Sequence, residues 1–333
     1  MSFDALLIVG FGGPEKPEDV MPFLENVTHG RRIPRERLEE VAKHYYHFGG
    51  KSPINKQVAE LIESLRVVLA ARGPNLPVYL GNRNWDPYLA DTMKQMKANG
   101  VRRALAFVTS AWASYSSCRQ YLDNIAEAQA AVGEGAPEIV RLRHFYNNPG
   151  FIEPMAERVR EAYASLPEAM RDQATLLFTA HSIPMSMAQG CRYVEQLTEA
   201  SGLVARLAAR DEWRLVYQSR SGPPTQPWLE PDIGDALKEL AAAGGKSVVV
   251  APIGFLSDHM EVMYDLDHEA KQLCDELGMT MARAGTVGTH PRFVEMIQEL
   301  IVERMEGDER EECAVGCCPA PVVQGRPQSP AGG

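Results

Sequence analysis

The sequence predicts an α/β protein built from two similar doubly wound, Rossmann-like units, each a parallel four-stranded sheet flanked by helices. Three observations carry that expectation. Short apolar runs alternate with longer segments of helical period, the signature of β-α-β units and a parallel sheet. The alternation stops at Asn147-Asn148-Pro149-Gly150 and then starts again. The chain, at 333 residues, is long enough for two units of ordinary size.

In chain order, Ala5 to Gly10 reads as the first strand because ALLIVG is a short apolar run that ends in a glycine turn. Lys56 to Ala71, Tyr88 to Ala98 and Arg119 to Ala131 show helical patterns, and the apolar runs Val78 to Gly81, Ala104 to Thr109 and Ile139 to Leu142 supply the strands between and after them. The second half offers strands at Thr175 to Ala180, Arg214 to Gln218, Val248 to Ala251 and Thr280 to Ala284, and a helix from Pro291 to about Glu306 closes it. The expected division is 1–148, 149–306 and a cysteine-containing tail at 307–333, whose end QGRPQSPAGG reads as frayed. The space between the halves is the expected site.

Composition narrows the function. With 45% apolar and 23% charged residues the chain is globular, and its net charge of −10 weighs against a nucleic-acid groove. MSFDALLIVGFGG has no basic leader region and reads as a first strand, not a signal peptide. No run of about eighteen apolar residues suggests a membrane span. The expected compartment is the cytoplasm, where the six cysteines are reduced and serve as ligands or buried thiols.

The ionisable residues fall into a pattern. The run TLLFTAHSIP stops at His181, which places an imidazole at a strand's carboxyl end, where open α/β sheets hold their ligands. In PIGFLSDHMEVMYDLDHEA, Glu261, Asp265 and Glu269 recur every four residues, so on a helix they share one face as a strip of negative potential suited to guiding a cation. A solvated surface face is the alternative. Gly10-Phe11-Gly12-Gly13-Pro14 lacks the dinucleotide spacing and puts Pro14 where a helix should open, but it presents Phe11 to a flat apolar ligand. Gly30-Arg31-Arg32 and the loop-like stretch His44 to Pro53, dense in aromatic and hydrogen-bonding groups, suit a planar ligand with carboxylate arms. Cys313, Cys317 and Cys318 form a compact tail cluster that needs a fourth thiol from Cys118, Cys191 or Cys274 to hold zinc or a 2Fe–2S centre. Adjacent Cys317 and Cys318 reach one centre only through a turn.

Taken together, TAHSIP, GGKSPI, QSRSGPP with PWLEPD, and APIGF with SDHMEVMYDLDHE resemble the ferrochelatases from about Phe3 to Met305, and GFGGPE and SAWASYSSC are similar to the actinobacterial type. The resemblance implies ferrous iron insertion into a porphyrin, coproporphyrin III first and protoporphyrin IX second. It implies that His181 and Glu261 are the paired insertion residues facing each other across the porphyrin plane, with Asp265 and Glu269 as an acidic ridge behind. Phe11, Arg31, Tyr45, Ser52, Tyr121 and Trp228 are then the porphyrin contacts. Because cluster-bearing members use one cysteine after a Tyr-Ser pair and three in the tail, it also implies a 2Fe–2S cluster on Cys118, Cys313, Cys317 and Cys318. A monomer is implied, in transient contact with other haem-pathway enzymes. The rival readings are a cobalt or nickel chelatase, a non-catalytic haem or tetrapyrrole carrier with His181 as axial ligand, and a cluster-based redox sensor.

Overall fold

The computed structural model describes residues 2–30, 33–222, 225–307 and 316–320. Among these, eight strands form two sheets. β1 (Ala5–Gly10), β2 (Val78–Asn82), β3 (Arg103–Val108) and β4 (Glu138–Arg141) lie in the order β2-β1-β3-β4; β5 (Thr175–His181), β6 (Trp213–Gln218), β7 (Ser247–Ala251) and β8 (Thr280–Arg283) lie in the order β6-β5-β7-β8. Every pairing is parallel. Counted from its own first strand, each sheet has the same order, with neighbours on opposite sides of β1 and of β5. Those two strands mark the switch points where α/β sheets open a crevice at their carboxyl ends.

Helices cover both faces, so the inner strands read as unbroken apolar runs. All six positions of β1 are buried. The halves also share a core. Phe107 on β3, Phe145 in the connection, Phe151 in the helix Pro149–Ser165 and Phe293 in the helix Pro291–Met305 interlock, with ring centroids 5.2 Å apart for Phe107–Phe145 and 5.8 Å for Phe145–Phe293. Each such ring contributes about 1.5–3 kcal/mol by leaving water. The helix Pro291–Met305 lies against Ile54–Arg72 of the first half, where Arg72 Nη2 donates to Glu295 Oε1 (2.8 Å) and Gln298 Nε2 donates to the Gly73 carbonyl (2.8 Å).

The expected elements form with small shifts at their ends, and two segments differ in kind. His44 to His47 belong to a helix, Arg35–His47, whose Leu38 and Ala42 are buried, so only the stretch from Phe48 is loop. Aromatic density masked its helical period. The segment holding the acid row is a short turn, Met260–Val262, followed by a π-helical stretch, Met263–Ala270. The helices Pro149–Ser165 and Tyr193–Leu207 complete the cover of the second half. No helix of the described residues is long and apolar enough to cross a membrane.

Candidate active site

A cavity of about 450 Å³ opens between the carboxyl ends of β1 and β5. From the first half it takes Phe11, Tyr45, Ser52 and Tyr121, and from the second His181, Trp228, Glu261 and Asp265. Eight of the expected residues thus meet in one place. Arg31 lies outside the described residues, and Glu269 is exposed and does not line the cavity.

His181 is the last residue of β5, fixed by pairing with Gln218 on β6. Its Nδ1 faces the Ser182 carbonyl, which only accepts, so Nδ1 carries the hydrogen and, in the neutral ring, the lone pair is on Nε2. Tyr193 Oη donates to the His181 carbonyl (3.0 Å) and holds the strand end from behind. Close backbone approach completes the placement: at Gly254 a Cβ would lie 2.7 Å from Ala180 Cα, so the loop after β7 packs against β5 only as glycine.

Glu261 Oε1 stands 3.8 Å from His181 Nε2. This overturns the expectation that a porphyrin plane separates them, because a ring between two groups needs van der Waals contact of about 3.5–4.0 Å on each side. The two groups stand together in the cavity with no room for a ring between them. Behind them, Asp265 receives hydrogen bonds from Ser219 Oγ and from Gln218 Nε2 (3.4 Å), and Gln218 Nε2 also donates to the Glu261 carbonyl (3.1 Å). Ser219 makes its contact from the left-handed region (φ 61°). The acids therefore do not form one uniform strip: π winding and the Ser219 clamp turn Asp265 inward, and Glu269 stays at the surface.

Burial, with the neighbouring Glu261 and Glu269 charges, pushes the Asp265 carboxyl up to about 7 although the Ser219 hydrogen bond opposes the shift. Burial also raises Glu269 and lowers His259, which caps the turn at Glu261 through its Nδ1 (3.1 Å). A carboxyl whose folded value exceeds its unfolded value of 3.8 subtracts stability as pH rises between the two. Asp265→Asn, which keeps an acceptor for Ser219, is expected to melt a few degrees above the parent at about pH 8 and level with it at about pH 4. Thermal melts at the two pH values check this.

Several cavity residues escaped sequence reasoning. Arg83 follows β2, stacks its guanidinium over Tyr121 (4.4 Å) and Phe11 (5.7 Å), and donates to Asn124 Oδ1 (2.7 Å). Its position in YLGNRNW, just past a strand's carboxyl end, was the available signal. Arg37, also missed, comes from the helix Arg35–His47 together with His44 of the expected stretch; His44 stacks on Tyr264 at 3.7 Å and so joins the halves. Trp228 Nε1, buried, has no acceptor among the described residues, and a Cβ at Gly222 would fall 2.3 Å from it. Two further bonds brace the cleft: Trp112 Nε1 donates to the Gly254 carbonyl (3.0 Å), and Asp258 N donates to Gln57 Oε1 (2.8 Å).

The thiols are partly gathered. Cys118 is buried in the π-helical turn Tyr115–Arg119, accepts from Arg141 Nη1 (3.4 Å), and its thiol is pushed up by burial. Cys317 and Cys318 come within its electrostatic reach, and Cys318 adopts φ 53°, the turn that the adjacent pair requires. Cys313 lies outside the described residues. Among the described residues, no three candidate ligands stand close enough to hold a metal ion. The expected cluster therefore lacks a closed ligand set here.

Two sheets of equal topology with a ligand cavity across their carboxyl ends define the class, that of the chelatase fold. Solved structures agree: the chain superposes on SirB from Bacillus subtilis with Fe3+ at a TM-score of 0.58 and 12% identity, covering 92% of this chain and 98% of that one. The family model named Ferrochelatase matches residues 3–305, and the chain belongs to the ferrochelatase family, metal-inserting enzymes of the lyase class. It is 54% identical over 310 residues to the coproporphyrin III ferrochelatase of Mycolicibacterium smegmatis, covering 92% of this chain and 91% of that one. It is 53% identical to the ferrochelatase of Rhodopirellula baltica, covering 98% and 97%.

Proposed function

We propose that the cavity binds coproporphyrin III and that His181, Glu261 and Asp265 carry the insertion of ferrous iron. The observation that carries this reading is the Nε2 of His181 beside the Glu261 carboxylate, with Asp265 next in line, on one wall of an aromatic-lined cavity. Insertion removes two pyrrole N–H protons. His181 Nε2 accepts them in turn, and the Glu261 carboxylate stabilises the imidazolium that forms. Asp265, poised near neutrality, takes each proton onward toward Glu269 at the surface. The same carboxylates draw Fe²⁺ inward and replace part of its water shell. The rigid walls bend the macrocycle so that its nitrogens point at the metal.

Support for coproporphyrin III over protoporphyrin IX comes from relatives that bear that name at 54% identity and from the polar groups of the cavity. Four propionates need more partners than two. Arg37, Arg83, His44, Ser52 and the Trp228 N–H supply donors that the aromatic walls alone do not. In anaerobic metalation assays, Fe²⁺ with coproporphyrin III is expected to turn over at least about tenfold more efficiently than with protoporphyrin IX. The reverse order overturns the substrate assignment, and binding without metalation favours the carrier reading.

A 2Fe–2S centre on Cys118, Cys313, Cys317 and Cys318 belongs to this proposal, supported by thiolate donor type and by Cys118 lying within electrostatic reach of Cys317 and Cys318. Insertion of ferrous iron involves no net electron transfer, so no step passes through it. About two irons and two acid-labile sulfides per chain, lost in Cys118→Ser, are expected; iron-free protein refutes the cluster. We further propose two units dividing near residue 148, a monomer acting in the cytoplasm, and transient contact with other haem-pathway enzymes.

A further inference from the structure

Cys191, a candidate fourth thiol that is not among the four ligands the resemblance implies, lies at the point where the tail meets the second half. It sits between the short helix Met185–Ala188 and Tyr193, in the hairpin that supplies Met187 and Tyr193 to the cavity wall. Its thiol donates to the Met187 carbonyl (3.2 Å) and accepts from the Cys318 thiol. Cys318 is buried and Cys191 half-buried. Next to Cys318, Pro319 closes on the same hairpin, within 3.4 Å of where a Cβ on Gly190 would lie. The approach of Pro319 to Gly190 brings the adjoining thiols together, one half-buried and one buried, arranged as an attacking and a resolving pair.

We propose that Cys191 and Cys318 form a redox pair whose oxidation fastens the tail to the porphyrin-cavity wall. The oxidant is a small-molecule disulfide such as oxidised glutathione. Cys191 thiolate attacks one sulfur, the S–S bond breaks, and the first small thiol leaves with the electron pair and takes a proton from water. Cys318 thiolate then attacks the Cys191 sulfur of the mixed disulfide and releases the second. Two protein thiols are oxidised and one small disulfide is reduced to two thiols. Cys318 cannot be bonded to Cys191 and to a cluster iron at once, so pair and cluster are exclusive fates of the same sulfur. Because Met187 and Tyr193 flank Cys191, and Tyr193 holds His181 from behind, the bond also changes porphyrin affinity; only this last step rests on the chelatase reading.

The test uses the full chain, as isolated and after iron chelation, treated with oxidised glutathione, alkylated and mapped without reductant. In the chelated sample the main product is expected to be a peptide pair joining Cys191 to Cys318, reversed by dithiothreitol, absent from Cys191→Ser and present in Cys274→Ser. Recovery of Cys318 in alkylated form, its linkage to Cys118 or Cys317, or arrest at a mixed disulfide on Cys191 overturns the pair. Porphyrin titration of the same samples is expected to show a Kd shift of about fivefold that Cys191→Ser lacks. An unchanged Kd with the bond mapped sinks the coupling. Loss of porphyrin binding in both redox states counts against the chelatase reading, whereas the mapped bond alone decides the pair.

Discussion

His181→Ala is expected to lower the turnover of iron insertion about a thousandfold while shifting porphyrin affinity by less than about threefold. The reason lies in what Nε2 does. Nδ1 is committed to the Ser182 carbonyl, so the ring offers one lone pair, 3.8 Å from Glu261. Alanine removes the acceptor for the pyrrole protons and leaves the aromatic walls that hold the macrocycle. Anaerobic stopped-flow metalation, with porphyrin fluorescence for binding, separates the two effects. Retention of full turnover excludes His181 from the chemistry, and equal loss of binding and turnover makes it a structural residue.

Trp112→Ala is expected to cost about 3–5 kcal/mol of stability, the range for truncating a large buried aromatic ring. The indole is 2% exposed and packs at 5.9 Å from Phe151 and 6.5 Å from Tyr146. Its truncation opens a cavity in the shared core and strips the Gly254 carbonyl of its donor. Trp112→Phe refills most of the volume and loses the hydrogen bond, at about 1 kcal/mol. Denaturant titration of both variants distinguishes packing from the bond; equal losses refute the assignment of most of the effect to volume.

Much of this was legible because burial on both faces writes a plain signal. The runs ALLIVG and TLLFTAH each became a strand, and the site residues that end or follow strands, Phe11 and His181, fell where expected. What one chain segment cannot encode is how two segments meet. The placement of His181 beside Glu261 depends on Gly254 nesting against Ala180 and on Ser219 drawing in Asp265, contacts among β5, the loops after β6 and β7, and the π-helical stretch Met263–Ala270. Hydrogen bonding five residues apart leaves no distinctive period over eight residues, so Met263–Ala270 read as an ordinary helix. Arg83 stayed hidden for a similar reason: an arginine past a strand reads as solvated until Phe11 and Tyr121 are seen beneath it.

The interlocked phenylalanines carry a consequence for how the molecule comes apart. Phe107, Phe145, Phe151 and Phe293 belong to segments on both sides of the single chain crossing, and none has a complete set of neighbours within its own half. Melting either sheet exposes the packing surface of the other. The two sheets, alike in topology, therefore share one cooperative transition rather than two, and the cleft between them does not outlive the fold of either.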